Sequence, residues 1–181
     1  MRWLVVGSSP SVMDYLPRMN MAGATITTNA GITLLRPDVL FLFDRTACQL
    51  HAELARFARF QGTKLVTLKR QQEAMERRGV ADFDEFADEA EYEEFKLSGL
   101  FCVEYACRHG ASVVQLVGMD GYAVGGMYFD GRSVDPRQMM KTLDVIQPRM
   151  QRLCEKYPDV RFEIHGQPQY GVDSPNWRVM S

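Results

Sequence analysis

The sequence predicts an α/β fold, one open and mostly parallel sheet with helices packed on both faces. Three observations lead there. Short apolar, β-branched runs alternate with segments whose apolar residues recur at helical spacing. The longest run, Val39-Leu40-Phe41-Leu42-Phe43, is apolar at every position, which suits a strand covered on both faces. The 181 residues, 46% hydrophobic and 24% charged, fill one core and are too few for two ordinary domains. The expected architecture is a single doubly wound, Rossmann-like domain over residues 1–181.

Leu4-Val5-Val6 reads as the first strand, and Gly7-Ser8-Ser9-Pro10-Ser11 supplies a tight turn and helix-start residues ahead of Val12, Met13 and Leu16. Ala24 to Thr28 and Val39 to Phe43 read as strands two and three. From Thr46 to Phe60, Ala47, Leu50, Leu54, Ala55 and Ala58 keep helical spacing until Gly62, and Lys64 to Leu68 is the next strand. The rhythm breaks between Lys69 and Lys96. There a segment with Arg70, Arg77 and Arg78 passes into a dense acidic one punctuated by Phe83, Phe86, Tyr92 and Phe95. Dense like charge faces water, so residues 69–96 read as a solvated insertion, with a lid as the alternative. A helix follows from Ser98-Gly99 through Leu100, Val103, Ala106 and Cys107 to Gly110. Val113 to Val117 is then a strand that ends in Gly118-Met119-Asp120. Asp135-Pro136 starts a helix through Met139, Leu143, Ile146, Met150 and Leu153, with Pro148 placed to kink it, and Val160 to Ile164 reads as the last strand.

A formal net charge of -2 gives no overall basic field for nucleic acid or anionic lipid. No apolar run nears the roughly 20 residues that span a bilayer, and the run after Met1 stops at Gly7, so a cytoplasmic location is expected. Cys48, Cys102, Cys107 and Cys154 fall in helical patterns without CxxC spacing, as reduced, buried thiols do. Nothing in the composition opposes a homo-oligomer.

In open parallel sheets, ligands bind beyond the carboxyl ends of the strands. Gly7 to Ser11 follow strand one, Asn29 follows strand two, Asp44-Arg45 strand three, and Gly118 and Asp120 follow the Val113 strand. The Gly7-Ser8-Ser9-Pro10-Ser11 loop offers amides, hydroxyls and a helix dipole to a phosphate. It is equally an ordinary cap in which Ser9 or Ser11 satisfies helix donors, and it lacks both GxGxxG and the P-loop lysine. Asn29 doubles as a turn residue, and Asp44 and Asp120 as caps.

These residues carry a resemblance. Gly7-Ser8-Ser9-Pro10-Ser11 resembles the Gly-Asn-Gly-Pro-Ser loop of the bacterial sialyltransferases of glycosyltransferase family 42 and of the related motility accessory factor proteins. Leu97-Ser98-Gly99, the helix after it, Val117-Gly118-Met119-Asp120-Gly121-Tyr122 and Gly125-Gly126-Met127-Tyr128-Phe129-Asp130 resemble that family's Ser-Gly helix, Gly-x-Asp-x-Tyr loop and second tyrosine. The resemblance implies that Gly7, Ser8, Ser9, Pro10, Ser11, Asn29, Asp44, Ser98, Gly99 and Asp120 surround a cytidine monophosphate group. It implies further that Tyr122 and Tyr128 hydrogen-bond the departing phosphate. Phenol donors can stabilise such a leaving group without a metal. Ser8 and Ser9 stand where the family has Asn and Gly, and Asp44 where the sialyltransferases have Asn. The family's catalytic histidine has no counterpart between Asp135 and Leu153. His165, after the Val160 strand, is the candidate general base, with Asp130 and Asp135 as alternatives. His51 and His109 read as surface or capping residues.

The leading expectation is glycosyl transfer from a nucleotide-sugar donor of the CMP-sialic acid kind. The second is pyrophosphoryl or nucleotidyl transfer, with Asp44 and Asp120 holding Mg²⁺ against a triphosphate. The third is a non-catalytic nucleotide-binding protein, a compact viral or mobile-element version of the fold.

Overall fold

Eight short strands make one sheet. They are β1 (Arg2–Val6), β2 (Ala24–Thr28), β3 (Val39–Phe41), β4 (Lys64–Leu68), β5 (Glu85–Ala87), β6 (Val113–Val117), β7 (Arg161–His165) and β8 (Trp177–Met180). Their order is β5-β4-β3-β2-β1-β6-β7-β8, and every neighbouring pair is parallel. The helices with described bounds are α1 (Val12–Tyr15), α2 (Ala52–Phe60), α3 (Gln72–Glu76), α4 (Ser98–Arg108) and α5 (Pro136–Lys156). The structure, a computed structural model, describes the chain apart from residues 20, 22, 44–48, 78–81, 93–96, 122–127, 134–135 and 181; at 75–76 and 136–143 it describes the backbone alone.

Alternation along β1 shows how the two faces are filled. Trp3 and Val5 join Ile26, Phe41, Leu116 and Ile164 in the larger core, which α4 and α5 cover. Leu4 and Val6 point the other way, with Val117, onto Val12 of α1. Leu40, Leu42 and Leu65 meet Ala55 and Ala58 of α2. Helix α4 is buried from Leu100 to Cys107, and its Phe101 ring stacks on Phe41 with centroids 3.8 Å apart. A fully buried Phe is worth about 1.5–3 kcal/mol over an exposed one. The same helix buries Glu104 completely, and the Lys156 ammonium meets that carboxylate at 2.9 Å. Cys102, Cys107 and Cys154 are buried free thiols whose pKa values burial raises; Cys48 lies outside the described residues.

The expected α/β sheet is present and is parallel throughout. Two strands were not expected. β5 lies within the charged stretch 69–96, where it extends the edge beyond β4 while Asp84 accepts a hydrogen bond from the Leu65 N–H at 2.8 Å. The Val160–Ile164 run is not the last strand: it corresponds to β7, and β8 pairs beyond it. Both escape a periodicity reading because edge strands bury little; in β8 Trp177 alone is buried. α5 runs helically through Pro148.

Between β1 and β6 the strand order reverses. The chain leaving β1 returns through β2 on one side, and the chain leaving β6 returns through β7 on the other. This is the switch point of the sheet, the place where open α/β sheets bind their ligands beyond the carboxyl ends of the strands.

Candidate functional site

The loops after β1 and β6 are locked together. The Gly7 N–H donates to the Val117 carbonyl at 2.8 Å, and the Ser9 N–H to the Gly118 carbonyl at 2.9 Å. A Cβ on Gly7 would collide with the Gly118 carbonyl oxygen and come within 2.6 Å of Met119 Cγ. Gly118 has φ +68°, a left-handed conformation open to glycine at little cost. Two expectations about the first loop fail here. The Gly7 and Ser9 amides are spent on β6, and α1 is only four residues long, so the loop offers a phosphate less amide and dipole than its sequence suggests. The capping explanation fails too: Ser11 is the N-cap, and its side chain makes no cap hydrogen bond.

Ser9, Ser11 and Asp120 are buried, Asp120 to 1% exposure. Ser9 Oγ, Ser11 Oγ and Asp120 Oδ1 have no hydrogen-bond partner among the described residues. Thr28 Oγ1, at the end of β2, and His165 Nε2, at the end of β7, are buried and unpartnered in the same way. An unmade buried hydrogen bond costs about 1–3 kcal/mol, and proteins leave few. These five stand at the ends of β1, β2, β6 and β7; elsewhere among the described residues, Trp3 Nε1, Glu89 Oε1 and Gln115 Oε1 also lack a hydrogen-bond partner. Gly166, directly after β7, has φ +128°; a Cβ there would sit 3.6 Å from Asp120 Oδ2 and 3.8 Å from Ser11 Oγ, so both polar groups flank it.

The remaining candidates fall around this centre. Gly99, at the start of α4, faces the tip of Met119, whose Cε would lie 3.0 Å from a Cβ at that position, and Ser98 precedes it. Ser8 accepts a hydrogen bond through its carbonyl from the Phe129 N–H at 2.9 Å, which brings the Tyr128 loop onto the first loop; Pro10 lies between the two buried serines. The Arg132 guanidinium lies 5.2 Å from the Tyr128 ring centroid and bonds Asp130 at 2.7 Å. Asn29 has φ +48°, and its Oδ1 accepts from the Phe43 N–H at 3.2 Å, tying the end of β2 to the segment after β3. That is the turn role considered for it. Asp44, Tyr122 and Asp135 lie outside the described residues. Among the described residues no three metal-ligating side chains cluster.

His165 ends β7 beside Val117, with the Tyr15 ring 6.4 Å away. Burial lowers its pKa, against a smaller opposing pull from Glu163, so the imidazole is neutral near pH 7. His51 was expected at the surface or as a cap. It occupies the N-cap position of α2 with no side-chain cap bond, and it is buried. Burial first and the Arg132 charge second lower its pKa, while Asp130 raises it. His109 does cap, its Nδ1 lying 2.8 Å from the Tyr105 carbonyl. Sequence reasoning missed Thr28, His51 and Gly166. For Gly166 a signal existed, a glycine immediately after a strand; His51 and Thr28 carry none.

An open groove of about 770 Å³ lies between Asp144–Gln151 of α5 and residues 169–173. Its floor hangs on the β6 loop, because the Gln169 N–H donates to the Asp120 carbonyl at 2.9 Å and the buried Tyr170 hydroxyl to the Met119 carbonyl at 2.8 Å.

The sheet order and the switch-point loops define a doubly wound α/β protein of the Rossmann type. The fold is shared with a variant of the sialyltransferase CST-II whose crystal structure was solved in complex with CMP. The TM-score is 0.62 at 13% identity, over 97% of this chain and 87% of that one. No family model matches the sequence, and no curated protein matches it by sequence. Among the described residues no helix is long and apolar enough to cross a membrane.

Proposed function

We propose that the chain binds a nucleoside phosphate at the carboxyl edge of the sheet, over the ends of β1, β2, β6 and β7. We infer further that it transfers a glycosyl group from a nucleotide-sugar donor, of the CMP-sialic acid kind, as a distant member of glycosyltransferase family 42. The observation that carries this reading is the pool of five unpaired buried polar atoms at the strand ends. The shared fold with an enzyme solved in complex with CMP supports the class of ligand.

In this reading Ser9, Ser11, Thr28 and Asp120 meet the nucleotide, Ser98 and Gly99 close one wall, and Asn29 holds the β2 end in register. The bond between the sugar's anomeric carbon and the phosphate oxygen breaks, and its electron pair leaves with the nucleotide. Tyr128 and Tyr122 donate hydrogen bonds to that phosphate as its charge grows. The acceptor hydroxyl forms the new bond and passes its proton to His165 Nε2, which burial keeps neutral and able to receive it.

The test is a thermal-shift panel of CMP, CDP, ATP, GTP and CMP-sialic acid, with and without Mg²⁺, on the wild type and on Ser9→Ala, Ser11→Ala and Asp120→Ala. Cytidine nucleotides should stabilise the wild type without Mg²⁺. The two serine variants, each relieved of an unpaired buried hydroxyl, should be as stable as the wild type or more so and should lose the nucleotide response. Absence of any nucleotide response in the wild type overturns the reading. CMP release from CMP-sialic acid, abolished in Tyr128→Phe, separates transfer from mere sequestration, and a response requiring Mg²⁺ and a triphosphate favours pyrophosphoryl transfer.

A further inference from the structure

Between β7 and β8 the chain has no helix. Residues 166–176 return from the carboxyl edge of the sheet to its amino edge as irregular chain beside α5, which runs the same way. The two are fastened near the amino edge. Asn176 Nδ2 donates to the Val160 carbonyl at 2.9 Å and to the Tyr157 carbonyl at 3.1 Å. One step higher, the Asp173 N–H donates to Gln151 Oε1 and Gln151 Nε2 to the Asp173 carbonyl, both at 2.9 Å. Above that clasp they part, and the groove of about 770 Å³ fills the gap. Gln147 and Asp144 continue the Gln151 stripe of the helix at i−4 and i−7, about 6 Å and about 10 Å nearer the carboxyl edge. Their side chains, and that of Gln169 opposite, bond no other described residue.

We propose that this groove is a saccharide subsite, taking a neutral, hydroxyl-rich sugar; its part as acceptor of the transferred group rests on the nucleotide-sugar reading above. The lining sets the chemistry. It carries two carboxylates, Asp144 and Asp173, and three carboxamides, with no Lys, Arg or His among the described residues. The phosphates of a nucleotide would meet negative charge there and no cation. Sugar hydroxyls fit: a carboxylate accepts an O–H, and a carboxamide both donates and accepts. Asp144 and Gln147, at i and i+3 on one helix face, are spaced to take neighbouring hydroxyls of one ring. Pro148 and Val172 add apolar surface for the ring's C–H side. Pockets of roughly 300–1,000 Å³ hold small organic ligands, so a disaccharide has room. The placement suits an acceptor. Gln169 lies four residues along the same segment from His165, the proton acceptor of the proposed transfer, and its N–H bonds the Asp120 carbonyl.

The experiment is saturation-transfer NMR on the whole chain with lactose, cellobiose, N,N′-diacetylchitobiose and mannobiose at millimolar concentration, with and without CMP. At least one disaccharide should receive saturation. Asp144→Ala and Gln147→Ala should each weaken its binding about tenfold, the loss that removal of a hydrogen bond to a ligand brings. Asp159→Ala, an exposed acid outside the groove, should not. Asp144→Ala should leave the thermal shift produced by CMP as it is in the wild type. No disaccharide signal with or without CMP overturns the proposal, and so does binding that both groove variants leave unchanged. A CMP shift lost in Asp144→Ala overturns it by making the groove part of the nucleotide site. Binding of spermidine in place of every disaccharide overturns it and assigns the two carboxylates to a cation. A disaccharide that binds through Asp144 and Gln147 in a protein with no nucleotide response upholds the saccharide subsite and overturns the nucleotide reading alone.

Discussion

Replacing Gly7 with alanine tests how tightly the candidate site is closed. The added methyl has nowhere to go: it meets the Gly118 carbonyl oxygen and lies 2.6 Å from Met119 Cγ, where ordinary contact begins near 3.4 Å. Side chain and backbone must both yield, Met119 by most of an ångström, and the Gly7–Val117 and Ser9–Gly118 hydrogen bonds span the same gap. Overpacking of this kind costs about 1–3 kcal/mol. In a chain of this length each kcal/mol lowers the melting temperature by roughly 2–4 °C, so Gly7→Ala should melt several degrees below the wild type. Gly171→Ala is the control, since a Cβ there meets nothing within 4 Å and the position has no left-handed φ. Melting is followed by far-ultraviolet circular dichroism, with and without CMP. Gly7→Ala should lose both stability and the CMP-induced shift, and Gly171→Ala neither. A Gly7→Ala protein that melts with the control and keeps the shift would refute the close approach of the two loops.

Two further outcomes are expected. His165 has its pKa lowered from the usual 6.5 by burial, so the stability tied to its neutral form is complete above that value and is lost as pH falls toward the folded-state pKa. Urea unfolding of wild type and His165→Gln at about pH 7.5 and about pH 5 should show the variant losing less stability on acidification, and equal losses would remove His165 as a contributor. Lys156→Met should destabilise by about 2–3 kcal/mol, because it removes the ammonium paired with the fully buried Glu104 carboxylate, while Glu104→Gln with Lys156→Met should recover much of that. Urea midpoints of the single and double variants decide it.

The central strands were legible because their residues are buried on both sides: Ala24–Thr28, Lys64–Leu68 and Val113–Val117 were read at their observed bounds. β5 and β8 were not, since a three-residue edge strand flanked by Asp84 and Asp88 has no apolar run to betray it. The edge of the sheet that carries the candidate residues followed from the fold rule alone. The partners of the loop atoms did not: no pattern in Gly7-Ser8-Ser9-Pro10-Ser11 says that two of its amides bond Val117 and Gly118 while two of its hydroxyls have no partner among the described residues. His51 was misread because helical spacing marks a phase and says nothing of how deeply an N-cap position is buried.

The pairing of β1 with β6 has a kinetic consequence. Trp3 sits opposite Val114, so the strand made first waits for more than a hundred further residues before its second neighbour exists. Long-range parallel pairing is slow because loop entropy is spent before the contact repays it. Ser9 and Asp120 therefore become neighbours late, after β2, β3 and β4 have had time to zip onto one flank of β1. A nascent chain halted before Val113 would carry half a cleft and an unsheathed central strand, the moment at which a chaperone would have most to hold.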